Sequence, residues 1–153
     1  MADQRLLAAV DLGSNSFRLL IGRVEGTAVG AQIRPLDSLK VAVRLAAGLD
    51  EDALLDAASQ RRATEALARF AERLRSFKPD AVRAVGTNTM RVARNARRFQ
   101  LTAEAALGFP IEVISGHEEA RLIHLGAAHE LPNDGQPRLV VDIGGGSTEC
   151  IIG

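Results

Sequence analysis

The chain has 153 residues, 19 basic and 19 acidic side chains, and 46% hydrophobic residues. That is the length of one domain with an ordinary core, and the composition excludes whole-chain disorder, collagen and coiled coil. Zero net charge argues against a protein that coats nucleic acid, and the lack of Trp and Tyr leaves few platforms for stacking bases.

Leu6 to Leu12 is an apolar run that carries Asp11 near its end and meets Gly13, which predicts a buried strand entering a turn. Ser14-Asn15-Ser16 is turn chemistry. Phe17 to Val24 predicts a second strand, Gly26-Thr27-Ala28 a hairpin loop, and Val29 to Leu36 a third strand. Leu39 to Leu45 reads as a further extended piece. Asp50-Glu51-Asp52 places negative charge where a helix over 52–77 would begin. Leu67, Phe70, Leu74 and Phe77 give that helix one apolar face, and Lys78-Pro79-Asp80 stops it. Ala81 to Val85 predicts a strand, and Gly86 to Thr89 a loop and cap for a helix from Met90. Thr102 opens another helix, ended by Gly108-Phe109-Pro110. A strand over Ile111 to Ile114 and a helix from Ser115 to Glu130 follow. Leu131 to Pro137 reads as a linker. Strands at Leu139–Ile143 and Glu149–Ile152 flank a glycine turn. The order predicts an α/β fold with a mixed sheet.

Val10-Asp11-Leu12-Gly13-Ser14-Asn15-Ser16 and Val141-Asp142-Ile143-Gly144-Gly145-Gly146-Ser147 follow one plan: an apolar strand, an Asp at its end, then a small-residue turn. The repeat suggests duplicated lobes around a cleft. Because the chain ends 11 residues after Asp142, the expectation is a first lobe over 1–131, then a linker and the opening hairpin of a truncated second lobe over 132–153.

Gly144-Gly145-Gly146-Ser147-Thr148 can present several backbone N–H groups with no Cβ in the way of a phosphate. Ser14, Asn15 and Ser16 can add side-chain donors, and Arg18 follows closely enough to touch the same ligand. The spacing is neither a dinucleotide fingerprint nor a P-loop. Asp11, Asp142 and Glu149 are candidate oxygen ligands for a hard cation such as magnesium. Asp11 also fits a turn cap, and Glu149 a solvent-facing strand residue. Ser115-Gly116-His117-Glu118 fits a capping box, which occupies Glu118 and leaves Glu119 free either to activate water in a cleft or to sit on the surface. His117, His124 and His129 form no metal pattern. Arg91, Arg94 and Arg98 fall on one helical face, solvated or anion-binding. Cys150, the single cysteine, excludes an internal disulfide and reads as core. No apolar run reaches bilayer length and no signal peptide is visible, so a cytoplasmic location is expected.

Four stretches, Val10–Arg18, Gly86–Arg91, Ser115–Ile123 and Asp142–Glu149, resemble in order the exopolyphosphatase and guanosine pentaphosphate phosphatase family, within the actin-like ATPase and sugar-kinase superfamily. The resemblance implies ribonuclease-H-like lobes and hydrolysis of a terminal phosphoanhydride in polyphosphate or guanosine pentaphosphate. It implies Glu119 as the catalytic base and Asp142 and Glu149 at a divalent metal, magnesium or a similar ion. Ser14, Asn15, Ser16, Gly144, Gly145, Gly146 and Ser147 would line the phosphate, with Arg18 and Arg91 facing the cleft. A homodimer is expected at full length, and this chain by itself is expected to be inactive. A non-hydrolytic guanosine-phosphate sensor and a kinase of the same superfamily are the alternatives.

Overall fold

Alternation with period two builds the centre of the molecule. The computed structural model describes residues 5–26, 31–132 and 135–153. In β1 (Leu6–Leu12), Ala8, Val10 and Leu12 point into the core while Ala9 and Asp11 point away. β2 (Ser16–Glu25) runs antiparallel to β1 and buries Phe17, Leu19 and Ile21 completely. β3 (Gln32–Ala42) extends the sheet antiparallel to β2, with a register shift opposite Ile21 and Gly22. β4 (Ala81–Gly86) and β5 (Ile111–Val113) join in parallel, giving the order β3-β2-β1-β4-β5. This is the expected mixed sheet with flanking helices.

α1 (Ala57–Phe77) covers one face of the sheet and packs beside α3 (Ala96–Leu107). Leu67, Phe70 and Leu74 of α1 join Phe99, Ala103 and Leu107 of α3 in the core, and Phe77 packs at its margin. α2 (Asn88–Val92) is a short helix after β4. α4 (Gly116–Glu130) lies over the opposite face, where Leu122 shares a groove with Ala9, Asp11 and Val85. β6 (Leu139–Ile143) and β7 (Thr148–Ile152) form a separate antiparallel hairpin against α4. No helix among the described residues is long and apolar enough to cross a membrane.

Several expected boundaries are corrected. The long helix starts at Ala57 rather than at 52, capped by Asp56, whose side chain accepts from the Ser59 N–H at 2.6 Å. Asp50 instead holds a turn, accepting from the N–H groups of Asp52 and Leu54. A short acidic side chain that bonds its own neighbourhood competes with helix, and here it wins. The third strand and the separate piece at 39–45 are one strand, β3, ending at Ala42. Thr27, Ala28 and Val29 of the expected hairpin loop and strand lie outside the described residues, as do Asn133 and Asp134 of the linker. Thr102 is interior to α3 and opens nothing. That helix begins at Ala96, after Asn95, whose amide both accepts from Leu55 N–H (2.9 Å) and donates to Leu55 C=O (3.0 Å). The break between α2 and α3 also separates Arg91, Arg94 and Arg98, which share no helical face.

The hairpin reverses expectation in a further way. Cys150 is exposed, opposite the outward Val141, whereas Glu149 on the next position is buried. The hairpin turns Val140, Asp142, Glu149 and Ile151 inward and leaves Leu139, Val141, Ile143 and Ile152 open. Which face is inward is decided by what α4 and its surroundings offer, and an apolar run alone does not encode that.

The core makes a direct prediction. Phe70 is fully buried between α1 and the sheet, so Phe70→Ala should lower folding stability by about 3–5 kcal/mol. Denaturant titration checks it; a loss below about 1 kcal/mol would mean that the helix does not carry the core face described.

Candidate active site

The two small-residue turns meet. The turn between β1 and β2 carries Gly13, Ser14 and Asn15, and that between β6 and β7 carries Gly144 to Ser147. Together with Asp11, Ser16, Thr87, Glu119 and Asp142 they line one cavity of about 160 Å³. The contact is close enough that a Cβ on either of two glycines would displace a neighbouring side chain. A Cβ on Gly145 would stand 2.4 Å from the Asn15 amide, and one on Gly146 would stand 2.6 Å from Ser14 Oγ. Asn88 ties the turns together by donating to the Gly146 carbonyl at 2.8 Å. The glycines therefore serve packing as well as N–H presentation.

Glu119 reaches this cavity from the first turn of α4. Ser115 caps that helix, accepting from the Glu118 N–H at 3.1 Å. The Glu118 carboxylate, expected to reach back to the helix start, is instead held by Arg121 at 2.7 and 2.8 Å and faces Arg83. Glu118 thus serves the outer face through the arginines rather than through a capping box, and Glu119 lines the cavity. Arg91 donates to Glu119 Oε2 at 2.7 Å and to the Ile114 carbonyl at 3.0 Å, and comes within 3.6 Å of Glu149. Its guanidinium is thus engaged by protein groups rather than open to the cavity.

Carboxylate oxygens of Glu119, Asp142 and Glu149 lie within 4.8 Å of one another. Asp142 and Glu149 are directly opposite each other on the hairpin, a like-charge pairing that is unfavourable by itself. Glu149 is buried, and its Oε2 has no hydrogen-bond partner. A buried carboxylate oxygen without a partner is costly. All-oxygen donors, crowded negative charge and an orphaned buried atom fit a hard divalent cation. Asp11 lies outside this trio, and none of the histidines belongs to it.

Asp11 pairs across β1 and β2 with Arg18, and both line the groove beside Leu122. Arg18 does not line the cavity between the turns. Water reaches Asp11 from the open side of the cleft, yet its pKa is pushed up from 3.8 to about 6. Desolvation by the surrounding protein is the main cause, followed by repulsion from Glu119; Arg18 opposes the shift and Asp142 adds to it.

Sequence reasoning passed over Thr87, Asn88 and Thr89 as a loop and cap. Thr87 lines the cavity, Asn88 bonds the glycine turn, and Thr89 bonds Ser14 Oγ at 2.7 Å. Their signal is position: three polar residues directly follow β4, whose end pairs in parallel with the end of β1. The carboxyl ends of neighbouring parallel strands are where α/β sheets bind ligands.

The Asp11 shift has a definite sign. A folded-state pKa above the unfolded value means that protonation favours the fold. That stabilisation is complete below the ordinary carboxylate range and is lost as the pH rises through about 6. With chelator present, Asp11→Asn should raise the melting temperature relative to wild type at about pH 8, with the gain vanishing towards about pH 4. Thermal melts at both pH values decide it; a gain independent of pH would refute the raised pKa.

The Ppx/GppA phosphatase family matches residues 22–153. A guanosine-5'-triphosphate,3'-diphosphate pyrophosphatase of Pseudoalteromonas atlantica is 49% identical over 150 residues, covering 98% of this chain and 29% of that protein. An exopolyphosphatase from Cytophaga hutchinsonii superposes with a TM-score of 0.88 at 31% identity, over 97% of this chain and 46% of the other. The Aquifex aeolicus PPX-GPPA enzyme superposes with a TM-score of 0.85 at 29% identity, over 97% and 48%. The chain thus spans less than half the length of these relatives. It belongs to the Ppx/GppA phosphatase family.

Proposed function

We propose that the protein hydrolyses a terminal phosphoanhydride bond, in inorganic polyphosphate or guanosine pentaphosphate, and releases orthophosphate. The observation that carries this reading is the single cavity that joins both small-residue turns to Glu119. Family membership, and relatives named for these two substrates, support the substrate class.

The terminal phosphoryl group would sit between the turns. Backbone N–H groups of Gly144, Gly145, Gly146 and Ser147, with the side chains of Ser14, Asn15 and Ser16, would face its oxygens. Such donors stabilise charge that builds on the transferring group. Glu119 would take a proton from a water molecule as its oxygen bonds to phosphorus. The bridging P–O bond breaks, and its electron pair leaves with the shortened substrate. Arg91, anchored on the Ile114 carbonyl, would aim Glu119 rather than bind phosphate itself. Arg18 would meet only a substrate long enough to reach the groove beside Asp11. Asp142 and Glu149, with Glu119 beside them, would hold a divalent cation, which when bound supplies charge neutralisation at the phosphoryl oxygens.

This assignment favours hydrolysis over passive sensing, because a carboxylate held at 2.7 Å by an arginine in the phosphate cavity has no evident use in binding an anion. In the full-length protein, Glu119→Gln should reduce phosphate release from both substrates by about 100-fold or more while substrate binding persists. Turnover that survives the substitution would remove Glu119 as the base. Phosphate delivered to an acceptor other than water would instead identify a kinase.

A further inference from the structure

Thr89 lies in α2 and is almost wholly buried, with 1% of its surface exposed. Its hydroxyl lies 2.7 Å from the hydroxyl of Ser14. Among the described residues, the Thr89 hydroxyl has no other hydrogen-bond partner. Ser14 is also buried, with 6% of its surface exposed, but it differs in one respect: it lines the cavity between the turns, with its Oγ close to Gly146.

A hydroxyl carries one proton and can both donate and accept. Two hydroxyls in contact can share their bond in either direction. If Ser14 donated to Thr89, the Thr89 proton would have nowhere to go, and a buried unsatisfied donor is costly. If Thr89 donates, both groups are satisfied as soon as an anionic oxygen enters the cavity, because the Ser14 proton is then turned toward it. Thr89 lies away from the cavity and Ser14 lines it, and that difference sets the direction of the bond.

We propose that Thr89 is a positioning residue that points the Ser14 proton into the cavity, so that the first turn offers a fixed hydroxyl donor to a phosphoryl oxygen. The inference rests on the phosphate reading of the turns given above. It adds a residue from α2 whose whole effect passes through Ser14. Thr89→Val keeps the shape and removes the donor. The Ser14 hydroxyl is then free to rotate, and the donor is no longer set before the ligand arrives.

The test is a double-mutant cycle in the full-length protein, read as kcat/KM and KM for polyphosphate or guanosine pentaphosphate, whichever is turned over. Thr89→Val should reduce kcat/KM by about fivefold, the size of one ordinary hydrogen bond. Thr89→Ser, which keeps a hydroxyl, should stay within about twofold of wild type. In a Ser14→Ala background, Thr89→Val should have almost no further effect. An equal loss in both backgrounds, or a Thr89→Ser variant as impaired as Thr89→Val, overturns the role of Thr89 while leaving the phosphate cavity intact. A Ser14→Ala protein with unaltered kcat/KM overturns the phosphate turn and the Thr89 inference together. Melting temperatures verify folding; where Thr89→Val does not fold, Thr89→Ala completes the same cycle.

Discussion

Two turns, one between β1 and β2 and one between β6 and β7, approach until the glycines of one lie against the Asn15 and Ser14 side chains of the other. That steric limit organises the rest of the site. It sets the spacing of the cavity, brings Asn88 within bonding distance of the Gly146 carbonyl, and presses Ser14 between a buried threonine and a glycine. A side chain at 145 or 146 would have to displace the Asn15, Ser14 or Asn88 side chain from its place at the cavity. The phosphate reading is a statement about this contact more than about glycine as a flexible residue.

The same architecture appears twice with different electrostatics. In the first hairpin Asp11 faces Arg18, an opposite charge that offsets part of its cost. In the second, Asp142 faces Glu149, a like charge. Identical strand–turn–strand frames thus differ in their appetite for a cation. Glu119, delivered by α4, adds a third negative charge, and Arg91 offsets only part of it. The hairpin of opposite charges is left to shape and proton placement, that of like charges to charge.

Much of this was legible in the residues. The alternation of β1, the 67–70–74 stripe of α1 and the turn chemistry after Asp11 and Asp142 are local patterns, and each became the element they suggested. The Ser115 cap was also legible, because a helix cap is a local device, although the Glu118 carboxylate went to Arg121 rather than back to the helix start. What failed was decided at a distance. Asn95 set the start of α3 by bonding Leu55, forty residues earlier, whereas Asp50 is a local exception, choosing a turn over a helix start through its own neighbours. The inward face of the hairpin depends on α4, so Cys150, expected in the core, is exposed, and Glu149 takes the inward place of its two readings. Thr87, Asn88 and Thr89 gained meaning only because β4 lies beside β1 in the sheet.

The five-stranded sheet also has two borders. β5 is three residues long, which gives a neighbour little to grip. β3 is eleven residues long, but carries Pro35, which has no N–H to offer, and Asp37, a charge turned inward with Arg73 at 3.7 Å. Short borders, proline and inward charge are the features that discourage strand-by-strand stacking between molecules. Both borders of the five-stranded sheet are thereby guarded against edge-to-edge growth with copies of the same strand.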